Sequence, residues 1–492
     1  MKRINKTDTL NRVKLTANIL FSGIGCQERG FENSGLFNLD VLNTSDINKD
    51  AVVSYAAVHC GLTKETIENY SDYPSREEMA EYLKTINLGY EPEKNKAYDW
   101  DKLARRKSND IEKYWLACKL SNNLGDIGKI EKLPYADLWT CSFPCTDISL
   151  AGKMKGLSPS DSTRSSLLWE NIRLLKTAKD DGTLPKYIMF ENVKNLVGKK
   201  FINDFNNLLS VLDELGFNSC WKVLNAKNCG VPQNRERVFV ISIRKDIDNE
   251  AFNFPKPFDA GVRLKDILDE NVDEKYYLSE KTIKGFQKHN ENHMNKGTGF
   301  IWNPKTDEDI ANTLRANASL CPTNNSIKEV GQIYGTIKEP NPQAGRVYNK
   351  DFISPTIDSC GGGNRMPKIC IPINAYEDGT ARTIKAQYSK TSRANFEYQG
   401  TYGSTGVAVV YGSNINRIRK LTPNECWKLM GLTEEDCSKA VAIGVSDSQL
   451  YKQAGNGIVT NCCELLAEHL YKAQYDGTYV CIDENFINPQ LM

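Results

Sequence analysis

Residues 15–25 read LTANILFSGIG. An apolar run from Leu15 to Phe21 ends in Ser22-Gly23-Ile24-Gly25, and a polar, helix-compatible stretch follows from Gln27. Strand, glycine turn and helix in that order open a parallel, doubly wound α/β fold, where glycines let a ligand approach the backbone closely. Working outward, Asn38–Thr44 reads as a second strand that stops before Asp46. Ala136–Ser142 and Tyr187–Phe190 read as further strands, and Ser219–Leu224 with Arg237–Arg244 as a closing pair. Strands alternating with helical stretches predict a mostly parallel sheet covered on both faces. Residues 63–124 are charged and helix-like, with Trp100 and Trp115 as expected anchors, and carry no recognisable motif.

Four further motifs place chemistry at strand ends. Ser142-Phe143-Pro144-Cys145 sets a thiol beyond a strand's carboxyl end, where such folds bind ligands, with Pro144 stiffening the turn. Phe190-Glu191-Asn192-Val193 sets a carboxylate at the same edge. In Gln233-Asn234-Arg235-Glu236-Arg237 the two arginines are two apart, so on extended chain they point the same way. They suit planar, charge-assisted bonds to a base oxygen or a phosphate. Gln453-Ala454-Gly455-Asn456 precedes the final amphipathic helical run, Ile458–Ala473. Taken singly, each motif has a plainer reading: a structural glycine turn, a buried small thiol, a solvated acid, a surface ion-pair cluster.

Composition narrows the class. The chain has 492 residues, 40% hydrophobic and 25% charged, enough for two domains. No apolar run approaches a membrane span, and the basic, polar start MKRINKTDTLNRVK is not read as a signal peptide. Fifteen scattered cysteines form no C-x-x-C pair, so a reducing cytoplasm is expected, and no metal is expected. His289 and His293 share a helix face at most. Residues 281–418 carry 17 Lys and Arg against 11 Asp and Glu, although the chain's net charge is only +1. That basic excess suits a polyanion-binding surface. The segment 295–418 is rich in Gly, Asn, Thr and Tyr, with a weak repeat at 312–314, 355–357 and 382–384. It predicts a β-rich second domain, with Arg315, Arg365, Arg382 and Arg393 as candidate phosphate or guanine contacts. Thr422-Pro423-Asn424-Glu425 and Ser446–Gln449 offer capping boxes for later helices.

The ordered set Phe-x-Gly-x-Gly, Phe-Pro-Cys, Glu-Asn-Val, Gln-x-Arg-x-Arg and Gln-Ala-Gly-Asn resembles the DNA cytosine-C5 methyltransferases of bacterial restriction-modification systems. Arg419-Lys420-Leu421-Thr422-Pro423-x-Glu425 looks like the motif before the last. The resemblance implies a Rossmann-like S-adenosylmethionine-dependent fold with a smaller, β-rich target-recognition domain. The boundaries expected are 14–244 for the catalytic and cofactor-binding domain, 245–418 for recognition, and 419–492 returning to the first domain. It implies Cys145, Glu191, Asn192, Arg235 and Arg237 as catalytic residues. It implies Phe21, Gly23, Gly25, Asp46, Ile47, Asp126, Pro144, Gln453 and Asn456 around S-adenosyl-L-methionine, with Asp46 on the ribose and Asp126 on the adenine amine. Double-stranded DNA is the implied partner, no membrane is involved, a monomer is expected, and a cognate restriction endonuclease in the same system is left open. Three positions depart from the family pattern: Thr146 for the usual Gln, Gly457 for the usual Ser, and Ala151 for a small polar residue. An RNA-directed relative and a non-catalytic regulator are the rival readings. The basic second segment argues against the first, and the presence of Cys145 and Glu191 against the second.

Overall fold

The computed structural model describes residues 12–92, 94–144, 167–296, 301–316, 321, 324–331, 333–336, 346–349, 368–370 and 415–479. The chain divides into two compact units. One comprises 1–268, 308–321 and 423–492; the other comprises 269–307 and 322–422.

The first unit is built on a six-stranded sheet. Chain order runs β1 (Val13–Leu20), α1 (Cys26–Ser34), β2 (Phe37–Ser45), α2 (Lys49–His59), then four helices, α3 (Lys64–Asn69), α4 (Arg76–Thr85), α5 (Trp100–Ala104) and α6 (Asp110–Leu120). Next come β3 (Leu138–Cys141), α7 (Leu167–Asp180), β4 (Tyr187–Val193), α8 (Ile202–Leu215), β5 (Phe217–Asn225), the short β6 (Gln233–Asn234) and β7 (Glu236–Arg244). The sheet order is β2-β1-β3-β4-β7-β5. β1 through β4 pair in parallel, while β7 runs antiparallel between β4 and β5. Parallel strands share one carboxyl edge, and the reversed β7 brings its first residues to that edge. Phe21, Asp46, Ser142 and Glu191 therefore lie at or just beyond one side of the sheet. All four residues of β3 are buried and Trp139 is fully enclosed, as expected of a central strand covered on both faces. α7 and α8 cover one face through Leu168, Ile172, Leu175, Phe205, Leu208 and Leu212.

The second unit contains α9 (Glu280–Lys296), in which His289 and His293 stack at 4.2 Å between ring centroids. β8 (Ala311–Asn312), however, pairs with β6 inside the first unit. The short strands that follow are β9 (Ser326–Gly331), β10 (Ile333–Thr336), β11 (Arg346–Asn349), β12 (Lys368–Cys370) and β13 (Ile415–Lys420). β9 pairs antiparallel with β13, and β10–β11–β12 form a second small sheet. Trp302 anchors α9: Asn290 brackets its backbone at 2.6 and 2.7 Å, and its indole donates to Ser326 Oγ at 3.2 Å.

Contacts group 245–268 and Glu308–Cys321 with the first unit, inside the segment 245–418 expected for recognition. The repeat element 312–314 and Arg315 thus pack with the sheet domain. The repeat elements 355–357 and 382–384, with Arg365, Arg382 and Arg393, lie outside the described residues.

The chain closes on itself through α10 (Pro423–Lys428), α11 (Glu434–Ala442), α12 (Asp447–Asn456) and α13 (Thr460–Tyr475). The expected box at Ser446–Gln449 does not form: Ser446 makes no side-chain cap, and its hydroxyl pairs with Ser448 Oγ at 3.0 Å. The Thr422 hydroxyl donates to Asp269 at 2.6 Å. α13 packs on α1 so closely that a Cβ on Gly30 would stand 2.4 Å from Cys463 Cβ and 2.8 Å from the Thr460 carbonyl. Gly30→Ala should therefore separate the two helices and cost about 1–3 kcal/mol by overpacking. Gly285→Ala in α9, where an added Cβ meets nothing within 4 Å, should instead stabilise by about 0.5–1 kcal/mol through helix propensity. Thermal melting of the two variants beside the parent protein checks both signs.

Candidate active site

Glu191 and Asn192 end β4, and β7 runs past them in the opposite sense, with Glu191 opposite Phe239 and Val193 opposite Arg237. This register delivers Arg237 Nε to Glu191 Oε1 at 3.2 Å. Glu191 is only 8% exposed. Burial pushes its carboxyl above the usual carboxylate range, against the opposing pull of Arg237 and, more weakly, Arg235. A carboxyl so placed is easier to protonate than one in water.

Asn192 turns the other way. Its buried amide donates to the Phe143 carbonyl at 3.0 Å, and its Oδ1 accepts from the Val193 amide at 2.9 Å. The chain leading to Pro144 is thereby tied to the end of β4. Gln27 Nε2 adds a longer bond, 3.4 Å, to Ser142 Oγ. Cys145 lies outside the described residues, as do residues 146–166. The structure brings the approach to that thiol, Ser142–Pro144, beside Asn192.

The two arginines of the Gln-x-Arg-x-Arg motif part company. Arg237 faces Glu191 and also donates to the Glu236 carbonyl at 2.8 Å. Arg235 is 3% exposed, and its guanidinium donates to the carbonyls of Leu314 (3.1 Å), Gly455 (3.0 Å) and Gly457 (2.8 Å). The cause is a break in the strand: Arg235 falls between β6 and β7. Its surroundings are those of a structural tie, three backbone carbonyls accepting from one guanidinium.

At the other end of the edge, the glycine turn is bent sharply. Phe21 is itself left-handed (φ 56), a conformation that costs about 1–3 kcal/mol for such a residue. Gly23 (φ 55) and Gly25 (φ 80) continue the bend. Asp46 holds it from the neighbouring strand: one carboxylate oxygen accepts from the Gly23 amide at 2.9 Å and the other from the Asn48 amide at 2.7 Å. Loss of surrounding water pushes the Asp46 carboxyl up; the two amides and Lys452 act in the opposite sense. Ile47 follows directly. Asp126 lies half-buried beyond Gly125, accepting from the Gly128 amide at 3.0 Å.

From the C-terminal segment comes Gln453, 4% exposed. Its Oε1 accepts from Ser54 Oγ at 3.0 Å, while its Nε2 has no hydrogen-bond partner among the described residues. An enclosed amide donor with nothing to donate to is what a bound carboxylate would satisfy. Above Gly23 an added Cβ would meet nothing within 4 Å, so the turn faces open space. Asp46, Gly23 and Gln453 thus fit a zwitterionic nucleoside ligand. Asn456 ends α12 and is exposed.

Three residues of this site escape the motifs. Asn123 clamps the Asp46 backbone in both directions, at 2.9 and 3.0 Å. His59 packs where a Cβ on Gly25 would sit, 2.2 Å from Nε2, and that nitrogen donates to the Ile24 carbonyl at 3.2 Å. Burial lowers the His59 pKa to about 4, so the ring is neutral. Glu28, hydrogen-bonded by the Tyr55 hydroxyl, is pushed up by burial to about 7. These contacts are made by single side chains at distances that no spacing rule forecasts. A lone histidine ten residues beyond Lys49 gives no sequence signal.

Comparison with known proteins identifies the family. The model of the C-5 cytosine-specific DNA methylase family matches residues 75–472. The type II methyltransferase M2.ScrFI of Lactococcus lactis subsp. cremoris is 34% identical over 92% of this chain and 98% of its own. The orphan methyltransferase M.SPBetaI of Bacillus phage SPbeta is 29% identical over 93% of this chain and 97% of its own. Among solved structures, the Entamoeba histolytica methyltransferase EhMeth covers 94% of this chain at 14% identity and a TM-score of 0.49. No helix among the described residues is long and apolar enough to cross a membrane. With a Rossmann-like methyltransferase sheet and its motif residues gathered at one edge, the chain belongs to the C-5 cytosine-specific DNA methylase family and is a DNA (cytosine-5-)-methyltransferase.

Proposed function

We propose that Cys145, Glu191 and Arg237 carry the reaction on a cytosine flipped out of a duplex. The observation that supports this is the buried Glu191–Arg237 pair at the carboxyl edge, joined by Asn192 to the chain that enters Cys145. Members of this family draw the methyl group from S-adenosylmethionine, which supplies an electrophilic methyl on a sulfonium. Cytosine carbon 5 is a poor nucleophile until carbon 6 is attacked. Cys145 Sγ forms a bond to carbon 6, and the displaced electron pair moves toward carbon 5. Glu191 donates its proton to ring N3, so no charge accumulates on the ring. Arg237 holds the base O2 by a charge-assisted bond and keeps Glu191 within the site. Once carbon 5 is methylated its proton passes to water, Cys145 leaves as thiolate, and the N3 proton returns to the Glu191 carboxylate. Asn192 holds the Phe143 carbonyl and so fixes the approach of the nucleophile. Arg235 supports the site from behind by joining residues 314, 455 and 457.

On the cofactor side, Asp46 meets the ribose hydroxyls, Phe21 and Ile47 enclose the adenine with Pro144 beside it, and Asp126 accepts from the adenine amine. Gly23 and Gly25 give room to the methionine part. Gln453 Nε2, with Asn456, closes on the methionine carboxylate. The second unit, with the basic excess of 281–418, serves target recognition. The two named relatives carry different designations, type II and orphan. We assign this chain the role of the modification enzyme of a restriction-modification system, as the type II designation of the first relative suggests.

Duplex DNA carrying 5-fluorocytosine at the target base tests the chemistry. Fluorine cannot leave as a cation, so the carbon-6 adduct should survive denaturing electrophoresis in the presence of S-adenosylmethionine. Cys145→Ala should abolish the band and Glu191→Gln should slow its appearance strongly. A band that persists in Cys145→Ala moves the nucleophile elsewhere.

The pH profile tests the pair. Glu191 acts in its protonated form, so activity should fall as pH rises through its elevated pKa. Arg237→Ala removes the neighbouring positive charge, which raises that pKa further and favours the neutral carboxyl. The alkaline limb of the single-turnover rate should move to higher pH while the rate itself drops. A limb that stays in place or moves down removes Glu191 as the proton donor.

Asp46→Ala tests the cofactor side. Charge-assisted bonds to ribose contribute about 1.5–3 kcal/mol, so S-adenosylmethionine affinity should fall at least about tenfold in calorimetry. Binding of DNA should be unchanged. Equal cofactor affinity in the two proteins makes Asp46 a loop-closing acid only.

A further inference from the structure

The four helices between α2 and β3 carry no motif, yet one of their turns is built into the wall of the site. Between α4 and α5 the chain bends at Ile86–Gly89. The Ile86 carbonyl accepts from the Asp126 amide at 2.9 Å, and the Gly89 amide donates to the Ile47 carbonyl at 2.7 Å. One short turn therefore hydrogen-bonds to the backbone of both residues read above as flanking the adenine. The fit is tight. Gly125 is left-handed (φ +70), and a Cβ there would lie 2.0 Å from the Ile86 carbonyl oxygen and 2.8 Å from Ile86 Cβ. Behind the turn, Leu88 is 2% exposed and its carbonyl accepts from the indole of Trp100, itself 1% exposed, at 2.9 Å. The inserted helices' own core thus fixes the turn's position.

Asn87 occupies the crest. Its φ of 58 is left-handed, which asparagine tolerates better than other side-chain-bearing residues. Its Nδ2 donates to Asp126 Oδ2 at 2.7 Å, while Asp126 Oδ1 accepts from the Gly128 amide. Each carboxylate oxygen thus has one fixed donor, and a carboxylate has about four acceptor positions in all. The carboxylate cannot rotate without breaking one of the two bonds, so its remaining lone pairs keep a set direction.

We infer that the Ile86–Gly89 turn is a wall of the adenine pocket and that Asn87 is a positioning residue, orienting the Asp126 carboxylate toward the exocyclic amine of the purine. This rests on the reading of Asp126 as the acceptor for that amine. The insertion then has a role in the enzyme: it sets which nucleoside the site takes.

The test is calorimetric titration of the full chain with S-adenosylhomocysteine and with S-inosylhomocysteine. In the inosine compound the amine is replaced by a carbonyl oxygen, which would face the carboxylate as a second acceptor. The parent protein should prefer the adenosine compound. Asn87→Gly keeps the left-handed backbone and removes only the amide. It should weaken the adenosine compound by about tenfold, the scale of one charge-assisted hydrogen bond. The inosine compound should be unaffected, so that the preference collapses. Asp126→Ala is the companion variant and should collapse the preference as well. If Asp126→Ala collapses it and Asn87→Gly does not, Asn87 has no positioning role although Asp126 reads the amine. If Asn87→Gly weakens both compounds equally, the turn is structural only and the inference fails. If Asp126→Ala leaves the preference intact, the acceptor reading falls and the positioning role falls with it.

Discussion

The guanidinium of Arg235 joins three parts of the chain that are far apart in sequence. Buried charge is costly unless its hydrogen-bonding capacity is met. Here the carbonyls of Leu314, Gly455 and Gly457 accept from it. Gly455 must be glycine for this arrangement, since a Cβ there would lie 2.3 Å from the Arg315 backbone. Gln233 adds a second tie of the same kind, donating to the Leu429 carbonyl at 2.9 Å and accepting from the Leu314 amide at 3.1 Å. Through these two side chains the residues entering β7, the returning segment 308–321 and the α12 terminus become one body. Gln453 on α12 and the Glu191 side of the edge are thereby tied into that body. Removing the guanidinium would leave three enclosed carbonyls without a donor, a larger effect than the loss of one contact.

The sheet edge was legible because its signals are local and periodic. Each of the six strands expected from apolar runs is present, with ends displaced by only a few residues; β3, for example, spans Leu138–Cys141 within the expected 136–142. Strand ends fix where Asp46 and Glu191 stand, and so the sequence could group them. What it could not express was partner choice. Arg235 and Arg237 looked equivalent on an extended chain, but a break in the strand after Asn234 sends one to backbone carbonyls and the other to Glu191. The Ser446 box failed for a comparable reason: a neighbouring hydroxyl, Ser448, was available to its side chain. Asn123 and Asn87 act through single amides whose targets lie 77 and 39 residues away. No pattern of spacing within either segment encodes such contacts.

Two acids at the sheet edge are both pushed up by burial, yet different groups oppose the shift. Asp46 meets backbone amides on both oxygens, which favour its charged form even as dehydration opposes it. Glu191 is likewise pushed up by burial, but guanidinium charge opposes the shift in place of a pair of amides. The first environment suits an acceptor of hydroxyl protons. The second suits a group that gives a proton up when a partner arrives.

The packing of α13 on α1 has a consequence for how the protein is made. Arg29 on α1 pairs with Asp436 across 407 residues of sequence at 2.7 Å, and the helix that covers Gly30 is synthesised later still. At typical rates of about 5–20 residues per second, α1 emerges from the ribosome roughly 20–80 s before its covering helices exist. During that interval the glycine turn has its strand and its Asp46 brace but lacks Gln453 and the Arg235 anchor. The contacts that α12 and α13 make with Arg235 and Gly30 therefore form only as the last helices are released. Premature termination would leave Gly30, Arg29 and Arg235 without these late-arriving partners.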